Sequence, residues 1–401
     1  MRRDTWPEKD NPMLDNLPPL STGAPAVENV WPDEGLRWVQ EPRRSAPGLD
    51  ALLIWAFHAG ASKISFQTGH PVTVRVHGRN SRATRAALDE NEFSQIVNHL
   101  YGADGMARLQ GGNDFDTAYA IPIDRSTRLR FRLNATPTRT ARRDGGNIVL
   151  RPIADLPPSL ADQLVEPGIL DACRPSQGMV IVSGGTGSGK STLIAGMTVA
   201  KLLDPAGHYD IVEGAAPVEF LLERVRGSSS TMNQTEIPRD LPTFAAFIRG
   251  CMRREPTDII VGECRDSETM AAAIQAAISG HTLTTTVHAN DVPLSMQRIA
   301  SLCPADERDN LISAVAQSLR LVVNQRLVPS TSGGRTALRE FLAFDARLRS
   351  EFLRVDPSEW PALTRRALDE QGQSYAVAIQ RALDAGRISQ ATAAFQMKEL
   401  G

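Results

Sequence analysis

Apolar and polar residues alternate in several short segments of the first 150 positions. Segments 64–66, 72–76 and 129–133 place an apolar side chain at every second residue, and segment 115–119 alternates less strictly. This period predicts strands with one buried face. Helical spacing of apolar residues predicts helices over 49–57 and about 90–100. Strands grouped around helices without a strand–helix–strand rhythm predict an α+β domain, which we assign to residues 47–155.

The pattern changes after this domain. Between residues 156 and 345, short apolar runs alternate with helical patterns, which predicts a parallel α/β sheet. The run 179–183 is a predicted buried strand, and a helical face follows it at Leu193, Ile194, Met197 and Ala200. Residues 346–401 have a helical pattern and form a predicted C-terminal tail. Residues 1–46 are rich in proline and lack an apolar period, which predicts a flexible arm.

Composition restricts the class of protein. Of the 401 residues, 41% are hydrophobic and 22% are charged, as in ordinary globular domains. The formal net charge of −2 argues against a large nucleic-acid surface, so no direct sequence-specific nucleic-acid binding is expected. The four cysteines form no CxxC pair, which favours a reducing cytoplasm. We expect no signal peptide and no membrane-spanning segment, so that any membrane association is peripheral.

A complete phosphate-binding loop (P-loop) follows the predicted strand 179–183. Because a strand precedes this loop and a helix follows it, the motif predicts binding of ATP and Mg²⁺. Glycines let backbone N–H groups turn toward the phosphates, and the helix N-terminus favours an anion. Lys190 is expected to reach the β- and γ-phosphates and Ser191 to ligate Mg²⁺. The predicted nucleotide-binding residues are Gly184, Gly185, Thr186, Gly187, Ser188, Gly189, Lys190, Ser191 and Thr192.

An acidic residue and two histidines follow downstream. The apolar run 259–261 predicts a buried strand with Glu263 near its carboxyl end, where open α/β sheets bind ligands. A carboxylate there can ligate Mg²⁺ or orient the attacking water. His288 follows a predicted strand at 284–287 and can sense the γ-phosphate. Taken alone, His281 and His288 are more often structural histidines.

Four segments, which make up three motifs, resemble one family, the secretion ATPases that power type IV pilus retraction and type II and type IV secretion. Residues 253–269 resemble the family's Walker B region, 279–281 and 286–290 its His box, and 131–134 a strand of its N-terminal domain. The resemblance implies a PAS-like α+β N-terminal domain, a RecA-like motor domain and a homohexamer. It also implies a cytoplasmic protein, peripheral at the inner membrane, that works with inner-membrane components of a secretion or conjugation machine. In this family His281 and His288 would both belong to the nucleotide site.

The resemblance also implies further catalytic groups. Arginines from the N-terminal domain would complete the site, some from a neighbouring subunit, and would neutralise charge on the γ-phosphate. The candidates are Arg130, Arg132, Arg139 and Arg151, of which Arg132 and Arg151 are favoured. The family's Asp box usually reads Glu-Asp-Pro-x-Glu, whereas residues 213–219 here read Glu-Gly-Ala-Ala-Pro-Val-Glu. The leading glutamate is either displaced to Glu213 or absent, so Glu213, Glu219 and Glu263 all remain candidates for activating water.

The segment 334–345 favours one branch of the family. Its sequence GRTALREFLAFD resembles the DotB/TraJ-type ATPases of type IVB secretion, the Dot/Icm and conjugation systems. The lack of paired CxxC motifs departs from pilus-assembly and type II ATPases. The leading hypothesis is therefore an ATPase that powers translocation through a type IVB system. Alternatives are a pilus-retraction ATPase, a nucleic-acid-translocating RecA-like motor, and a non-hydrolysing scaffold favoured by the altered Asp box.

Overall fold

The first half of the chain folds around an antiparallel sheet. The structure, a computed structural model, describes residues 46–76, 79–124, 128–139, 144–153 and 156–400. Except for Ala46, the predicted proline-rich arm lies outside these residues. The first sheet has the order β3-β2-β1-β6-β5-β4, with antiparallel neighbours. Its strands are β1 Ala61–Gln67, β2 Thr73–Val76, β3 Arg79–Arg82, β4 Phe115–Pro122, β5 Arg128–Arg139 and β6 Asp144–Ile153.

Three helices pack against this sheet. They are α1 Ala46–His58, α2 Glu90–Leu100 and α3 Gly105–Gln110. Asp89 caps α2, accepting from the N–H of Glu92, whose own side chain accepts from the N–H of Asp89. The alternating strands bury Phe66, Phe131 and Leu150 completely in the core beneath the helices. The predicted strands, the two predicted helices and the α+β class are confirmed.

The second half folds around a mainly parallel sheet of order β13-β12-β7-β11-β10-β8-β9. Every neighbouring pair is parallel except the last hairpin, in which β13 runs antiparallel to β12. The strands are β7 Gly178–Ser183, β8 Asp210–Ala215, β9 Thr231–Glu236, β10 Asp258–Val261, β11 Thr282–Val287, β12 Leu319–Pro329 and β13 Arg335–Ala343. The connecting helices are α4 Pro167–Ala172, α5 Lys190–Leu202, α6 Phe244–Cys251, α7 Ser267–Ile278, α8 Val292–Leu302 and α9 Arg308–Ser318.

The central strands of this sheet are buried along their whole length. Each residue of β7, β10 and β11 is buried, which is why these strands read as continuous apolar or threonine runs without alternation. Ser183 and Val287 are register partners at the ends of β7 and β11. Parallel strands therefore carry the segments that follow them to one common edge of the sheet.

The predicted C-terminal tail is helical, and its helices pack on the second sheet. They are α10 Ala346–Phe352, α11 Trp360–Gln371, α12 Tyr375–Asp384 and α13 Gln390–Lys398. Phe352 and Trp360 belong to the main core of the second sheet. The helices after the predicted boundary at residue 346 therefore share the core of the second sheet and do not form a separate domain. Within the described residues, no helix combines the length and hydropathy required to span a bilayer.

Candidate nucleotide-binding site

The P-loop joins β7 to α5 in a conformation that requires glycine. Gly184, Gly187 and Gly189 all have positive φ, at 141°, 75° and 84°. A Cβ on Gly184 would lie 2.4 Å from the carbonyl oxygen of Gln325, which no side chain tolerates. The Nζ of Lys190 donates to the carbonyls of Gly184 and Gly185, both at 2.9 Å. These contacts and the positive φ angles define the shape of the loop.

A cavity of about 210 Å³ opens beside the P-loop and collects most of the predicted site residues. From the P-loop itself, Thr186, Gly187, Lys190 and Ser191 line it. The other predicted residues in its wall are Arg132, Glu213, Glu219, Glu263 and His288. These residues come from both halves of the chain: Arg132 lies on β5 of the first sheet, whereas the others lie on or after strands of the second sheet.

Glu263 lies just beyond β10, at the edge predicted for it. Its Oε2 forms an ion pair with Nε of Arg265 at 2.6 Å and lies 3.8 Å from Nε2 of His288. The side chain is 18% exposed. Oxygen ligands suit a hard cation such as Mg²⁺, and the hydroxyl of Ser191 with the Glu263 carboxylate would provide them. No cluster of three His, Cys, Asp or Glu occurs among the described residues, but an ion that also binds phosphates and water requires none.

Two cationic groups in the cavity have lowered pKa values. Burial lowers the pKa of Lys190, while the charges of Glu263 and Glu219 oppose that shift. Burial also lowers the pKa of His288, and the charges of Lys190 and Arg265 lower it further. The lowered pKa favours the neutral form of His288, which can donate one hydrogen bond to a phosphate.

The Asp-box segment contributes two carboxylates with different surroundings. Glu213 lies on β8 and accepts a hydrogen bond from Nε2 of Gln234 at 2.5 Å. Burial raises its pKa to about 7, the charge of Glu219 adds to this shift, and the Gln234 hydrogen bond opposes it. Glu219 instead lies 3.5 Å from Nη1 of Arg132.

Arginines of β5 connect the first sheet to this segment. Arg130 donates to the carbonyls of Glu219 and Val218, at 3.1 and 2.8 Å. Arg132 binds Asp116 at 3.1 Å as well as Glu219. Arg132 is thus in the cavity, as predicted, and Arg130 holds the backbone of the cavity wall.

Two predicted arginines and one predicted histidine also lie outside the cavity. Arg151 is the register partner of Arg132 on β6 and is exposed, and Arg139 is exposed at the end of β5. His281 precedes β11, whereas His288 follows it, so His281 lies at the opposite edge of the sheet from the P-loop. The strand between them spans roughly 20 Å. His281 bonds the carbonyl of Pro256 at 2.7 Å, so the structure does not bring it to the site.

Two side chains that the sequence did not indicate support the P-loop by hydrogen bonds. We call these side chains, Gln325 and Arg339, the brace. The side chain of Gln325 donates to the carbonyl of Ser188 at 2.7 Å. Arg339 donates to Oε1 of Gln325 at 2.6 Å. Arg339 is almost completely buried, and it also binds Glu166 and the carbonyl of Gln163, at 3.1 and 3.0 Å. This brace comes from β12 and β13, far along the chain from the P-loop.

The segment 158–166, which precedes α4, extends the brace. Gln163 donates to the carbonyls of Pro158 and Thr192, at 2.8 and 3.2 Å. Gly196 of α5 makes room for it, because a Cβ there would lie 2.4 Å from Nε2 of Gln163. Thr192 lines a separate pocket with Gln163 and Gln325 and is not among the residues that line the cavity. Arg265, Gln234 and Gln325 are the site residues that sequence reasoning missed. Only Arg265, two positions after Glu263, had a local signal.

Comparisons with known proteins identify the family. A model of the family "Type II/IV secretion system protein" matches residues 116–368. The type IV pilus retraction ATPase PilT of Pseudomonas aeruginosa is 28% identical over 303 residues, covering 75% of this chain and 83% of PilT. The X-ray structure of the Legionella pneumophila ATPase DotB superposes with a TM-score of 0.79 at 34% identity, covering 90% of this chain and 99% of DotB.

A second solved structure supports the same fold. The pilus retraction motor PilT with bound ADP superposes with a TM-score of 0.73 at 24% identity, covering 85% of this chain and 94% of PilT. The architecture is thus that of a RecA-like secretion ATPase with an α+β domain before the motor domain, as predicted. The chain belongs to the type II/IV secretion system protein family, and its relatives include ATPases of pilus and secretion systems.

Proposed function

We propose that the protein binds ATP with Mg²⁺ at the P-loop cavity and hydrolyses it to drive translocation. One observation carries this proposal: Lys190, Ser191 and Glu263 line a single cavity beside a P-loop that is already shaped for phosphate. They come from two separate strand ends, and the same three kinds of group act in phosphoryl transfer by P-loop enzymes. A chance glycine-rich turn would not bring them together.

The cavity supplies charge where hydrolysis requires it. Water attacks the γ-phosphorus in line, and charge spreads over the γ-oxygens in the transition state. Lys190 and Arg132 neutralise that charge, and His288 donates a hydrogen bond in its neutral form. Mg²⁺, held by Ser191 and Glu263, would neutralise further charge on the β- and γ-phosphates. Arg151 is exposed beside Arg132, which fits the proposal that it serves the site of a neighbouring subunit.

The proposed setting is a type IVB secretion system of the Dot/Icm or conjugative kind. The chain would form a cytoplasmic homohexamer, peripheral at the inner membrane, and work with inner-membrane components of the machine. The 34% identity to DotB over 90% of the chain supports this assignment. Pilus retraction is the second candidate, supported by the similarity to PilT over 75% of the chain.

The test compares ATP turnover of the purified protein with that of Lys190→Ala and Glu263→Gln. Both variants should lose two orders of magnitude or more in kcat, about 3 kcal/mol of transition-state stabilisation. The matched controls are Lys63→Ala on β1 and Glu268→Gln on α7, which lie outside the cavity and should keep wild-type turnover. Light scattering on the same samples should detect particles of six times 43.6 kDa with nucleotide.

Three outcomes would contradict parts of this proposal. Nucleotide binding without turnover in the wild type would favour a nucleotide-gated scaffold over a motor. Turnover that persists in Lys190→Ala would show that the hydrolysis belongs to a contaminant or to another site. A monomeric mass at all nucleotide concentrations would remove the hexamer while leaving the ATPase in place.

A further inference from the structure

The backbone that follows His288 is held by side chains from two distant strands. Residues 289–292 connect β11 to α8. Nδ2 of Asn324 donates to the first carbonyl of this segment at 2.9 Å, and Nη2 of Arg326 donates to the second at 2.8 Å. Oε1 of Glu340 accepts from the last N–H of the segment at 2.7 Å. Because the His288 side chain is itself 46% exposed, its position depends on how this backbone is held.

Tyr375, the first residue of α12, contacts all three of these side chains. Its hydroxyl donates to Oδ1 of Asn324 at 2.5 Å, and its N–H donates to Oε2 of Glu340 at 3.1 Å. The guanidinium carbon of Arg326 lies 4.1 Å from the centroid of the Tyr375 ring, which is a cation–π distance. One residue of the C-terminal helices therefore fixes the groups that hold residues 289–292.

The cluster around Tyr375 is buried, and its hydrogen bonds are made. Tyr375 and Asn324 are 1% and 0% exposed. Nδ2 of Asn324 also donates to Oγ of Ser183 at 2.7 Å, at the end of β7 where the P-loop begins. Burial raises the pKa of Tyr375, so its hydroxyl stays protonated and remains a donor at neutral pH. A buried polar network whose members are satisfied holds its geometry rigidly, and loss of one member leaves another unpaired.

We propose that Tyr375 is a positioning residue of the nucleotide site, which holds residues 289–292 so that the imidazole of His288 meets the γ-phosphate of bound ATP. Tyr375 is not among the residues that line the nucleotide cavity, so it acts through Asn324, Arg326 and Glu340. A misplacement of about 1 Å at a reacting group can cost 100-fold in rate, so a distant contact of this kind is sufficient. This inference rests on the proposed function, which places His288 at the γ-phosphate.

The experiment compares the full-length wild type with Tyr375→Phe, His288→Ala and the double variant. Tyr375→Phe removes only the hydroxyl and keeps the apolar contacts of the ring with Val328 and Leu338. For each protein, kcat is measured together with the affinities for ADP and for a non-hydrolysable ATP analogue. The matched control is Tyr209→Phe, because Tyr209 precedes β8 and lies outside the nucleotide cavity.

Tyr375→Phe should lower kcat and the affinity for the ATP analogue about tenfold, the usual effect of losing one hydrogen bond to a charged group. Its ADP affinity should stay within threefold of wild type, because ADP has no γ-phosphate, and this binding also shows that the variant is folded. In the His288→Ala background, Tyr375→Phe should have no further effect, because the group that it positions is already absent. Tyr209→Phe should keep wild-type values throughout.

The double variant separates positioning from a merely structural role. The inference is overturned if Tyr375→Phe keeps kcat and analogue affinity within threefold of wild type, or if its ADP affinity falls as far as its analogue affinity. It is also overturned if the losses of the two single variants multiply in the double variant. A wild type that binds ATP without turnover would defeat the proposed function, whereas the two affinities would still test the role of Tyr375. The two failures are therefore distinguishable.

Discussion

Lys201 and Asp258 form an ion pair in the interior of the motor domain. Nζ of Lys201 on α5 lies 2.5 Å from Oδ1 of Asp258 at the start of β10, and the two side chains are 5% and 6% exposed. The second oxygen of Asp258 accepts from Oγ1 of Thr257 at 2.9 Å. Lys201→Met keeps most of the side-chain volume but leaves Asp258 buried without a counter-charge. Breaking a buried pair in this way costs about 3–5 kcal/mol.

The expected result is a large drop in thermal stability. For a domain of this size, 1 kcal/mol corresponds to roughly 2–4 °C, so Lys201→Met should lower the Tm by about 6–20 °C. Calorimetry measures this change in Tm. The unfolding transition of the motor domain is identified as the one whose Tm rises when ADP and Mg²⁺ are added. Identifying that transition matters because a chain with two domains need not unfold in one step.

A partly exposed pair of the same charge type provides the control. Arg174 and Asp204 lie 2.7 Å apart with side chains 37% and 23% exposed, so Arg174→Met should cost less than about 1 kcal/mol. The double variant Lys201→Met/Asp258→Leu should regain most of the lost stability, because neither charge is then buried alone. The reasoning is refuted if Lys201→Met costs no more than Arg174→Met, or if the double variant is less stable than Lys201→Met.

Three further predictions follow from the geometry. Gly189→Ala should abolish nucleotide binding in a fluorescent-nucleotide titration, because φ is 84° and the new Cβ would lie 2.8 Å from Nε2 of Gln325; Gly250→Ala, with open space around its Cβ, should bind normally. The buried cysteines should react slowly with a thiol reagent until the protein unfolds, because burial raises their pKa values, and rapid labelling of the native protein would contradict this. They are Cys173, Cys251, Cys264 and Cys303. The protonated form of Glu213 stabilises the folded protein. This contribution should be complete below the ordinary pKa of 4.5 and lost as pH rises through about 7. The Tm of Glu213→Gln should therefore vary less with pH than the Tm of the wild type between about pH 5 and pH 8.

The sequence predicted those elements whose signals are local. Helix α2 was predicted close to its observed bounds because its apolar spacing lies within one short segment. The P-loop was predicted because its eight residues are consecutive and flanked by the expected strand and helix. Glu263 and His288 followed from the rule that ligands bind beyond the carboxyl ends of parallel strands.

The remaining features depend on contacts between distant parts of the chain. Gln325 supports the P-loop only because β12 pairs with β7, and no local pattern in β12 indicates this pairing. The placement of His281 failed for a similar reason, since the six residues between it and His288 form the whole of strand β11. The relation of Arg151 to Arg132 likewise depends on the register of β5 and β6, which a single strand sequence does not specify.

The brace behind the P-loop limits where this protein can be recombined with its relatives. Gln163 and Glu166 precede the motor sheet in sequence, yet Arg339 ties them to it, and Gln163 occupies the space above Gly196. A chimaera that exchanges the first domain must therefore keep residues 158–166 together with the host's Arg339 and Gly196. If the junction were placed after residue 166, the relative would supply the residues at positions 163 and 166. These residues would not be matched to the host's Arg339 and Gly196. The functional module for domain exchange thus begins before the first strand of the motor sheet.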